Sequence, residues 1–350
     1  MDTLWVGAEG GMEADLVQRA GIPFRAIPAA GVHGVGLRAL PGNLGRLGRG
    51  LLAARRVLAE FDPHVLFFTG GYVAVPVAVV GRARPQAMFV PDIEPGLALK
   101  TVARFADRIA VTVPDSQVYF PARRRVEITG YPTRPELAGW QRPQALAALD
   151  LAPDRPVLLV VGGSSGARSI NLAVLAVLED LLAGMQVVHL TGRLDWEAVQ
   201  ERQARLPADL RANYRPFPYL HERMGAAFCA ANLAVARAGA STLGEFPLFG
   251  LPAILVPYPY AWRYQQVNAR YLVERGAALL LPDEALETGL LPQVQALMAD
   301  APRRAQMAQA MGALATPQAA GSIAGLLQEL AGEKASPPQV GASPNQGGAL

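Results

Sequence analysis

The sequence predicts an α/β protein built from two doubly wound parallel sheets, and three observations support this prediction. Short apolar runs alternate along the chain with segments of helical periodicity, which is the pattern of βαβ units. At 350 residues the chain exceeds the usual size of one domain. A segment rich in proline and charge, residues 135–155, divides the apolar runs into two groups.

Nine apolar runs predict strands in chain order. The first group is TLWVG (3–7), HVLFFTG (64–70), AMFVPD (87–92), RIAVT (108–112) and RVEITG (125–130). The second is PVLLVVGG (156–163), MQVVHLTG (185–192), NLAVARAG (232–239) and PAILVPYP (252–259). We therefore expect an N-terminal domain over 1–140, a linker over 141–155 and a C-terminal domain over 156–331. The last residues, 332–350, are rich in Pro, Gly, Ser and Gln, so we expect a disordered tail.

Composition narrows the class of protein. Cys229 is the single cysteine, which excludes a disulfide framework and favours a reducing compartment. The most apolar segment, residues 65–81, is interrupted by Gly70, Gly71 and Pro76, so a transmembrane helix is not expected.

Positive charge is concentrated near the start of the chain. Residues 16–59 hold seven arginines and no acidic side chain. Leucines alternate with the arginines, so this stretch is either a basic amphipathic segment on an anionic bilayer or an ordinary solvated helix face. Nucleic acid is not an expected partner, because no aromatic residues alternate with the basic ones.

A glycine-rich loop follows the first strand of the second group. The loop reads GGSSGARSIN over 162–171 and lacks the G-K-[ST] ending of a P-loop. Gly162 and Gly163 allow backbone amides to approach a ligand, and the next helix directs its N-terminal end to the same point. The loop fits a diphosphate bound without a metal ion, although a tight turn with a serine N-cap is the alternative.

Two further segments follow later strands. In the first, Thr242 and Glu245 have the spacing of a capping box, yet a carboxylate there can also bind a ribose diol. In the second, Gln265, Gln266 and Asn268 are amides that suit the hydroxyl and acetamido groups of a sugar, although solvated helix residues fit the pattern as well.

These three segments resemble, in order and spacing, the donor half of the MurG-like UDP-N-acetylglucosamine transferases of glycosyltransferase family 28. Residues 10–24, 68–76 and 128–134 resemble the acceptor half, so the resemblance covers about residues 4–330. It implies a GT-B fold, in which two Rossmann-like domains face a cleft. It also implies an inverting hexosyltransferase without a cofactor. This enzyme would transfer N-acetylglucosamine from UDP to undecaprenyl-diphosphate-linked N-acetylmuramyl pentapeptide, a step of peptidoglycan synthesis.

The resemblance also implies roles for single residues. Gly163, Ser164 and their loop would contact the UDP diphosphate, and Arg134 would reach a phosphate from the interdomain side. Glu245 would bind the ribose. The region of Leu220 and His221 would contact uracil, and Gln265 and Gln266 would bind the sugar hydroxyls. The basic segment over 31–56 would lie on the cytoplasmic face of the cell membrane.

The chain departs from the family pattern at two places. The loop G-G-T-G-G-H, which carries the proposed general-base histidine of the family, has no counterpart, and we expect the first strand of the N-terminal domain to be missing with it. At 90–96 the chain reads VPDIEPG where the family has H-E-x-N, which makes Asp92 a weak candidate for the catalytic carboxylate. Two alternatives therefore stay open: a UDP-sugar-binding remnant without turnover, and a related transferase acting on another glycolipid.

Overall fold

The computed structural model describes residues 2–11, 13–29, 40–163, 166–260 and 264–333. Within these residues, six strands form before residue 130, and the helices between them are amphipathic or buried. The strands are β1 (Trp5–Ala8), β2 (Phe24–Ile27), β3 (Leu66–Phe68), β4 (Gln86–Val90), β5 (Arg108–Val111) and β6 (Arg125–Ile128). The helices are α1 (Glu13–Arg19), α2 (Leu40–Phe61), α3 (Ala74–Val80) and α4 (Leu97–Val102).

The six N-terminal strands form two separate parallel sheets. One has the order β3-β4-β5-β6, and the other is the pair β1-β2. The two inner strands of the larger sheet, β4 and β5, are buried along their whole length, as expected for a sheet covered on both faces. Their apolar side chains pack against α2, α3 and α4 in one core.

The C-terminal half contains one continuous sheet. Its strands are β7 (Val157–Val161), β8 (Gln186–Leu190), β9 (Tyr214–Phe217), β10 (Leu233–Ala236), β11 (Ala253–Leu255) and β12 (Ala278–Leu280). All are parallel, in the order β12-β11-β10-β7-β8-β9. The chain thus builds outward from β7 in one direction and from β10 in the other, which is a doubly wound sheet with its switch point between these two strands.

Helices cover both faces of the six-stranded sheet. They are α5 (Arg142–Ala148), α6 (Arg168–Ala176), α7 (Leu178–Gly184), α8 (Trp196–Ala204), α9 (Ala208–Arg211), α10 (Met224–Ala230), α11 (Thr242–Phe249), α12 (Tyr264–Glu274), α13 (Leu286–Ala299) and α14 (Ala301–Gly312). A further helix, α15 (Ala319–Glu333), follows α14 in the chain. Two apolar clusters lie on opposite faces of the sheet and include Leu159 and Leu158, neighbours whose side chains alternate in direction. The predicted fold class is confirmed.

All nine predicted strands are present, and three strands were not predicted. Those three are β2, β9 and β12, and each lies at the edge of its sheet with a single strand neighbour. An edge strand needs less apolar surface, so its sequence gives a weaker signal. Strand β9 even contains Pro216, which an edge position tolerates because one side of the strand makes no sheet hydrogen bonds.

Helix α15 returns from the C-terminal end to the N-terminal sheet. Its residues Ile323, Leu326 and Leu330 pack in one cluster with Phe89 of β4 and Ala110 of β5. Arg108 of β5 lies between Glu127 and Glu329, and its side chain is almost fully buried. The N-terminal sheet therefore depends on the last described helix for part of its core.

Helix α2 carries part of the basic segment predicted from the sequence. Arg46, Arg49, Arg55 and Arg56 are exposed, and Leu52 among them is 65% exposed. Residues 30–39, which include Arg38, lie outside the described residues. The predicted tail over 332–350 begins too early, because residues 332 and 333 belong to α15, and the rest of it lies outside the described residues. Within the described ranges, no helix is both long and apolar enough to cross a membrane.

Candidate functional site

A cavity of about 660 Å³ opens at the carboxyl ends of the strands of the C-terminal sheet. The loops after β7, β10 and β11 line it, so it lies at the switch point between β7 and β10. Parallel doubly wound sheets bind ligands in this crevice. The size falls within the usual range of small-molecule sites, about 300–1,000 Å³.

The glycine loop forms one wall of this cavity. Gly163 and Gly166 have positive φ angles of 91° and 84°, and the Gly166 N–H donates to the Gly163 carbonyl at 3.0 Å. A Cβ on Gly162 would approach the Ala167 nitrogen to 2.4 Å, so a side chain does not fit there. The predicted contact Ser164 and its neighbour Ser165 lie outside the described residues.

Helix α6 directs its N-terminal end at the loop. Its N-cap is Ala167, which has no side chain able to cap, so the alternative of a serine N-cap is wrong. The first N–H groups of a helix lack partners within it and carry a partial positive charge. A glycine loop beside such a helix end is an arrangement that commonly binds anions in proteins.

Glu245 lies in the first turn of α11 and lines the cavity. The Thr242 hydroxyl donates to the Gly239 carbonyl at 2.6 Å, so it does not cap the helix and the capping box is not formed. Burial raises the pKa of Glu245, while the charge of Arg134 and a hydrogen bond with Ser241 lower it. Arg134, exposed after β6, is thus within electrostatic reach of Glu245.

The three amides on α12 have different positions. Gln265 lines the cavity, and its Oε1 accepts from the Tyr258 N–H at 2.9 Å. Gln266 is half-buried and is not among the described lining residues. Asn268 is fully buried and hydrogen-bonds Asp92, Ile93 and Ala238, so the interpretation of its amide as a sugar contact does not fit this geometry.

His221 lies beside the cavity rather than in its described lining. It has a positive φ of 41°, and its ring meets that of Tyr219 edge to face at 4.5 Å. Leu220 is buried. Met224, three residues after His221, is a lining residue, so the segment Leu220–Met224 runs along the cavity edge.

Tyr131 connects the two halves near Glu245. Its ring packs on α11 so closely that a Cβ at Gly244 would lie 2.7 Å from it. Burial first, and then the charges of Glu245 and Asp92, raise the pKa of Tyr131 to about 12, against the opposing charge of Arg134. Its hydroxyl therefore lies within electrostatic reach of a carboxylate from each half.

Sequence reasoning missed a charged network in the cavity wall. The Arg237 guanidinium donates to Asp283 and, at 2.6 Å, to the Ser169 hydroxyl, and it lies over the Tyr258 ring at 5.2 Å. Arg237, Ser169 and Asp283 all line the cavity. The available signal was an arginine directly after the apolar run of β10, where a buried charge needs partners.

A second network supports the loop after β8. His189 is buried, with Nδ1 2.8 Å from the Tyr214 hydroxyl and Nε2 3.0 Å from Asn171 Oδ1. Burial lowers the pKa of His189 to about 3, so the ring is neutral and has a structural role inside the strand. The Asn171 Nδ2 group donates to Asp195, which lines the cavity. Among the described residues, no group of three or more His, Cys, Asp or Glu side chains could hold a metal ion.

Two family models match the chain. Residues 1–111 match the glycosyltransferase family 28 N-terminal domain, and residues 157–323 match the glycosyltransferase family 28 C-terminal domain. The second match contains the glycine loop, Glu245 and Gln265.

Two curated relatives share the name UDP-N-acetylglucosamine--N-acetylmuramyl-(pentapeptide) pyrophosphoryl-undecaprenol N-acetylglucosamine transferase. The protein of Roseiflexus sp. (strain RS-1) is 42% identical, over 93% of this chain and 83% of its own. That of Desulforudis audaxviator is 41% identical, over 95% of this chain and 91% of its own.

Solved structures agree with the sequence matches. The crystal structure of Acinetobacter baumannii MurG is 26% identical with a TM-score of 0.73, over 93% of this chain and 90% of that one. The calicheamicin glycosyltransferase CalG4 is 17% identical with a TM-score of 0.65, over 95% and 91%, which supports the fold alone.

Proposed function

The chain belongs to glycosyltransferase family 28, and we propose that it is the hexosyltransferase for which its relatives are named. It transfers N-acetylglucosamine from UDP-N-acetylglucosamine to the undecaprenyl-diphosphate-linked N-acetylmuramyl pentapeptide. An acceptor hydroxyl attacks C1 of the sugar and loses its proton, the bond from C1 to the diphosphate breaks, and UDP leaves. The observation that carries this proposal is identity of about 40% along more than nine-tenths of the chain to relatives with this activity in their name.

The donor half of the proposed site follows from the cavity. The amides of the 162–166 loop and the N-terminal end of α6 face the diphosphate, and they stabilise the charge that develops as UDP departs. Ser164 belongs to the same loop. Glu245 accepts hydrogen bonds from the ribose hydroxyls, and Gln265, which also lines the cavity, contacts the sugar.

The remaining predicted contacts lie around the rim. Arg134 approaches a phosphate from the interdomain side. This placement is supported by the effect of its charge on Glu245, which lines the cavity. The backbone at Leu220 and His221 meets the uracil, and Gln266 supplements Gln265 at the sugar.

We propose Asp92 as the group that receives the acceptor proton. Burial raises the pKa of Asp92, whereas the hydrogen bond from Asn268 lowers it. A carboxylate with raised basicity suits proton transfer near neutral pH. Asp92 follows β4 at the edge that faces the C-terminal half, on the acceptor side of the cleft.

The membrane is the proposed location of the acceptor. The exposed arginines of α2, with Leu52 among them, suit an anionic lipid surface that a peripheral protein approaches from the cytoplasm. This surface lies in the N-terminal domain, the half assigned to the lipid-linked substrate.

The test of this function uses the full chain, radiolabelled UDP-N-acetylglucosamine and the lipid-linked muramyl pentapeptide. We expect a labelled lipid-linked disaccharide and one UDP released for each product formed. Binding of UDP without turnover on this acceptor would identify a sugar-binding remnant. Turnover on another glycolipid, but not on this one, would identify a different transferase.

A further inference from the structure

Asn268 joins the two halves of the molecule from a fully buried position on α12. Its Oδ1 accepts from the Ile93 N–H at 3.2 Å. Its Nδ2 donates to Asp92 Oδ1 at 2.8 Å and to the Ala238 carbonyl at 3.1 Å. Asp92 and Ile93 follow β4 of the N-terminal domain, whereas Ala238 follows β10 of the C-terminal domain. We call these three hydrogen bonds the Asn268 bridge.

Two of the three hydrogen bonds of the Asn268 bridge, those to Ile93 and Ala238, are buried, and the one to Asp92 is partly buried. Ile93 is 2% exposed and belongs to the apolar cluster of the C-terminal domain, although it is a residue of the N-terminal loop. Asn268 itself is 0% exposed. Hydrogen bonds shielded from water are costly to break, because each group left behind stays buried without a partner.

The Asn268 bridge connects the donor cavity with Asp92. Gln265, which lines the cavity, lies three residues before Asn268 on α12, so one helix turn carries both side chains. On the other side, the charge of Asp92 acts on Tyr131, and so does the charge of Glu245. The proposed sugar contact and the proposed base are thus fixed to one helix.

We propose that Asn268 is a positioning residue: it orients the Asp92 carboxylate and holds the 90–94 loop at a fixed distance from the bound sugar. This inference rests on the proposed function, because the distance matters for attack of an acceptor on the donor. Asn268 does not touch the reacting atoms; it acts through Asp92 and through the loop.

The first experiment measures the bridge without using activity. Amide hydrogen exchange of the peptide over residues 91–96 is compared in the full-length protein and in four variants: Asn268→Ala, Asp92→Ala, Asp92→Asn and Arg270→Ala. Asn268→Ala should speed exchange at Ile93 about fivefold to tenfold, the loss expected for one hydrogen bond. Asp92→Asn keeps an oxygen that accepts from Asn268 and should protect better than Asp92→Ala. Arg270, exposed on the same helix, is the matched control and should change nothing.

The second experiment separates positioning from folding. Asn268→Ala should lower kcat about ten- to a hundredfold, as a misplaced reactive group does. The KM for UDP-N-acetylglucosamine should change less than about twofold, because the cavity lies within the C-terminal domain. A merely structural residue would instead alter KM and UDP affinity together. Unchanged Ile93 exchange, or unchanged kcat, in Asn268→Ala would overturn the inference.

Two outcomes distinguish this inference from the proposed function. Suppose that the unaltered protein does not turn over the lipid-linked acceptor, but Asn268→Ala still speeds exchange of the Ile93 amide. The proposed function is then wrong, and the hydrogen bonds of the bridge are confirmed without a catalytic role. If Asn268→Ala does not fold, the pair Asp92→Ala and Asp92→Asn gives the test. Equal exchange at Ile93 in these two variants would contradict the inference.

Discussion

The two halves of the molecule differ in how completely their sheets are joined. The C-terminal half has six parallel strands in one sheet, and the candidate cavity lies at the point where the strand order reverses. The N-terminal half divides its six strands into sheets of four and two. Strand β7 is almost wholly buried, whereas β1 buries one residue of four.

This difference is consistent with different tasks for the two halves. The walls of the proposed donor site come from loops anchored on a continuous buried sheet, which positions the glycine loop, Glu245 and Gln265 around the cavity. The half assigned to the lipid-linked acceptor has a smaller main sheet and a long helix whose arginines face solvent. A rigid scaffold favours precise contacts with a small ligand, whereas a surface site needs exposed charge.

The largest difference between the halves should appear in stability. Leu159→Ala, in the centre of β7, removes a fully buried side chain and should lower the free energy of unfolding by about 2 to 5 kcal/mol. Val6→Ala, at a half-buried site of β1, should cost about 1 kcal/mol or less. Urea denaturation of the full chain measures both. Equal losses would contradict the contrast between the sheets.

Removal of the Glu245 carboxylate tests the assignment of donor binding to the C-terminal half. Glu245→Ala should weaken UDP binding by about 1.5 to 3 kcal/mol, or about ten- to a hundredfold in Kd, because a charged hydrogen-bonding partner is lost. Calorimetry provides the affinity. The exposed Glu274→Ala, in the same domain, is the control. Unchanged affinity in a folded Glu245→Ala protein would exclude the ribose contact.

Acid should weaken the C-terminal half through His189. The pKa of His189 is lowered from 6.5 to about 3 in the folded protein. Between these two pH values the histidine is protonated in the unfolded chain but not in the folded one. The free energy of unfolding should therefore fall as pH drops from 6.5 toward 3, by about 2 kcal/mol at pH 5. Denaturation of the unaltered protein and of His189→Gln at each pH isolates this contribution. An identical pH dependence in both would refute it.

The smallest expected effect per substituted residue is a loss of membrane binding by the N-terminal surface. Replacement of Arg46, Arg49, Arg55 and Arg56 by Gln should weaken binding to anionic vesicles by about 1 kcal/mol per residue. Co-sedimentation with vesicles measures this loss, and Arg205→Gln with Arg303→Gln on the other domain is the control. Equal binding of the unaltered protein to neutral and anionic vesicles would contradict an electrostatic role of α2.

Every described strand with two strand neighbours was predicted from the sequence, whereas the strands that were missed have one neighbour. Burial on both faces requires a continuous apolar run, as in β7, and such a run is visible in the sequence. Strands β2, β9 and β12 have one neighbour each and contain few buried residues or a proline, so local pattern does not distinguish them from loops.

Candidate site residues were predictable where a backbone feature marks them. Glycines at positive φ and a helix that starts after a strand leave a local signature, which identified Gly163 and Glu245 as candidates. Arg237 and Asn268 have roles that depend on partners far away in the chain: Ser169 and Asp283, which meet beside Arg237, are 114 residues apart. Only the folded topology brings such partners together.

The return of α15 to the N-terminal sheet determines the order in which the chain can fold during synthesis. Phe89 and Ala110 need Ile323, Leu326 and Leu330 to complete their apolar cluster. At the usual rate of about 5 to 20 residues per second, a ribosome produces α15 roughly ten to forty seconds after β6. For that interval the first domain has an uncovered apolar face, while the C-terminal domain assembles. The first half to be synthesised is therefore the last to be completed, and it needs protection from aggregation in the meantime.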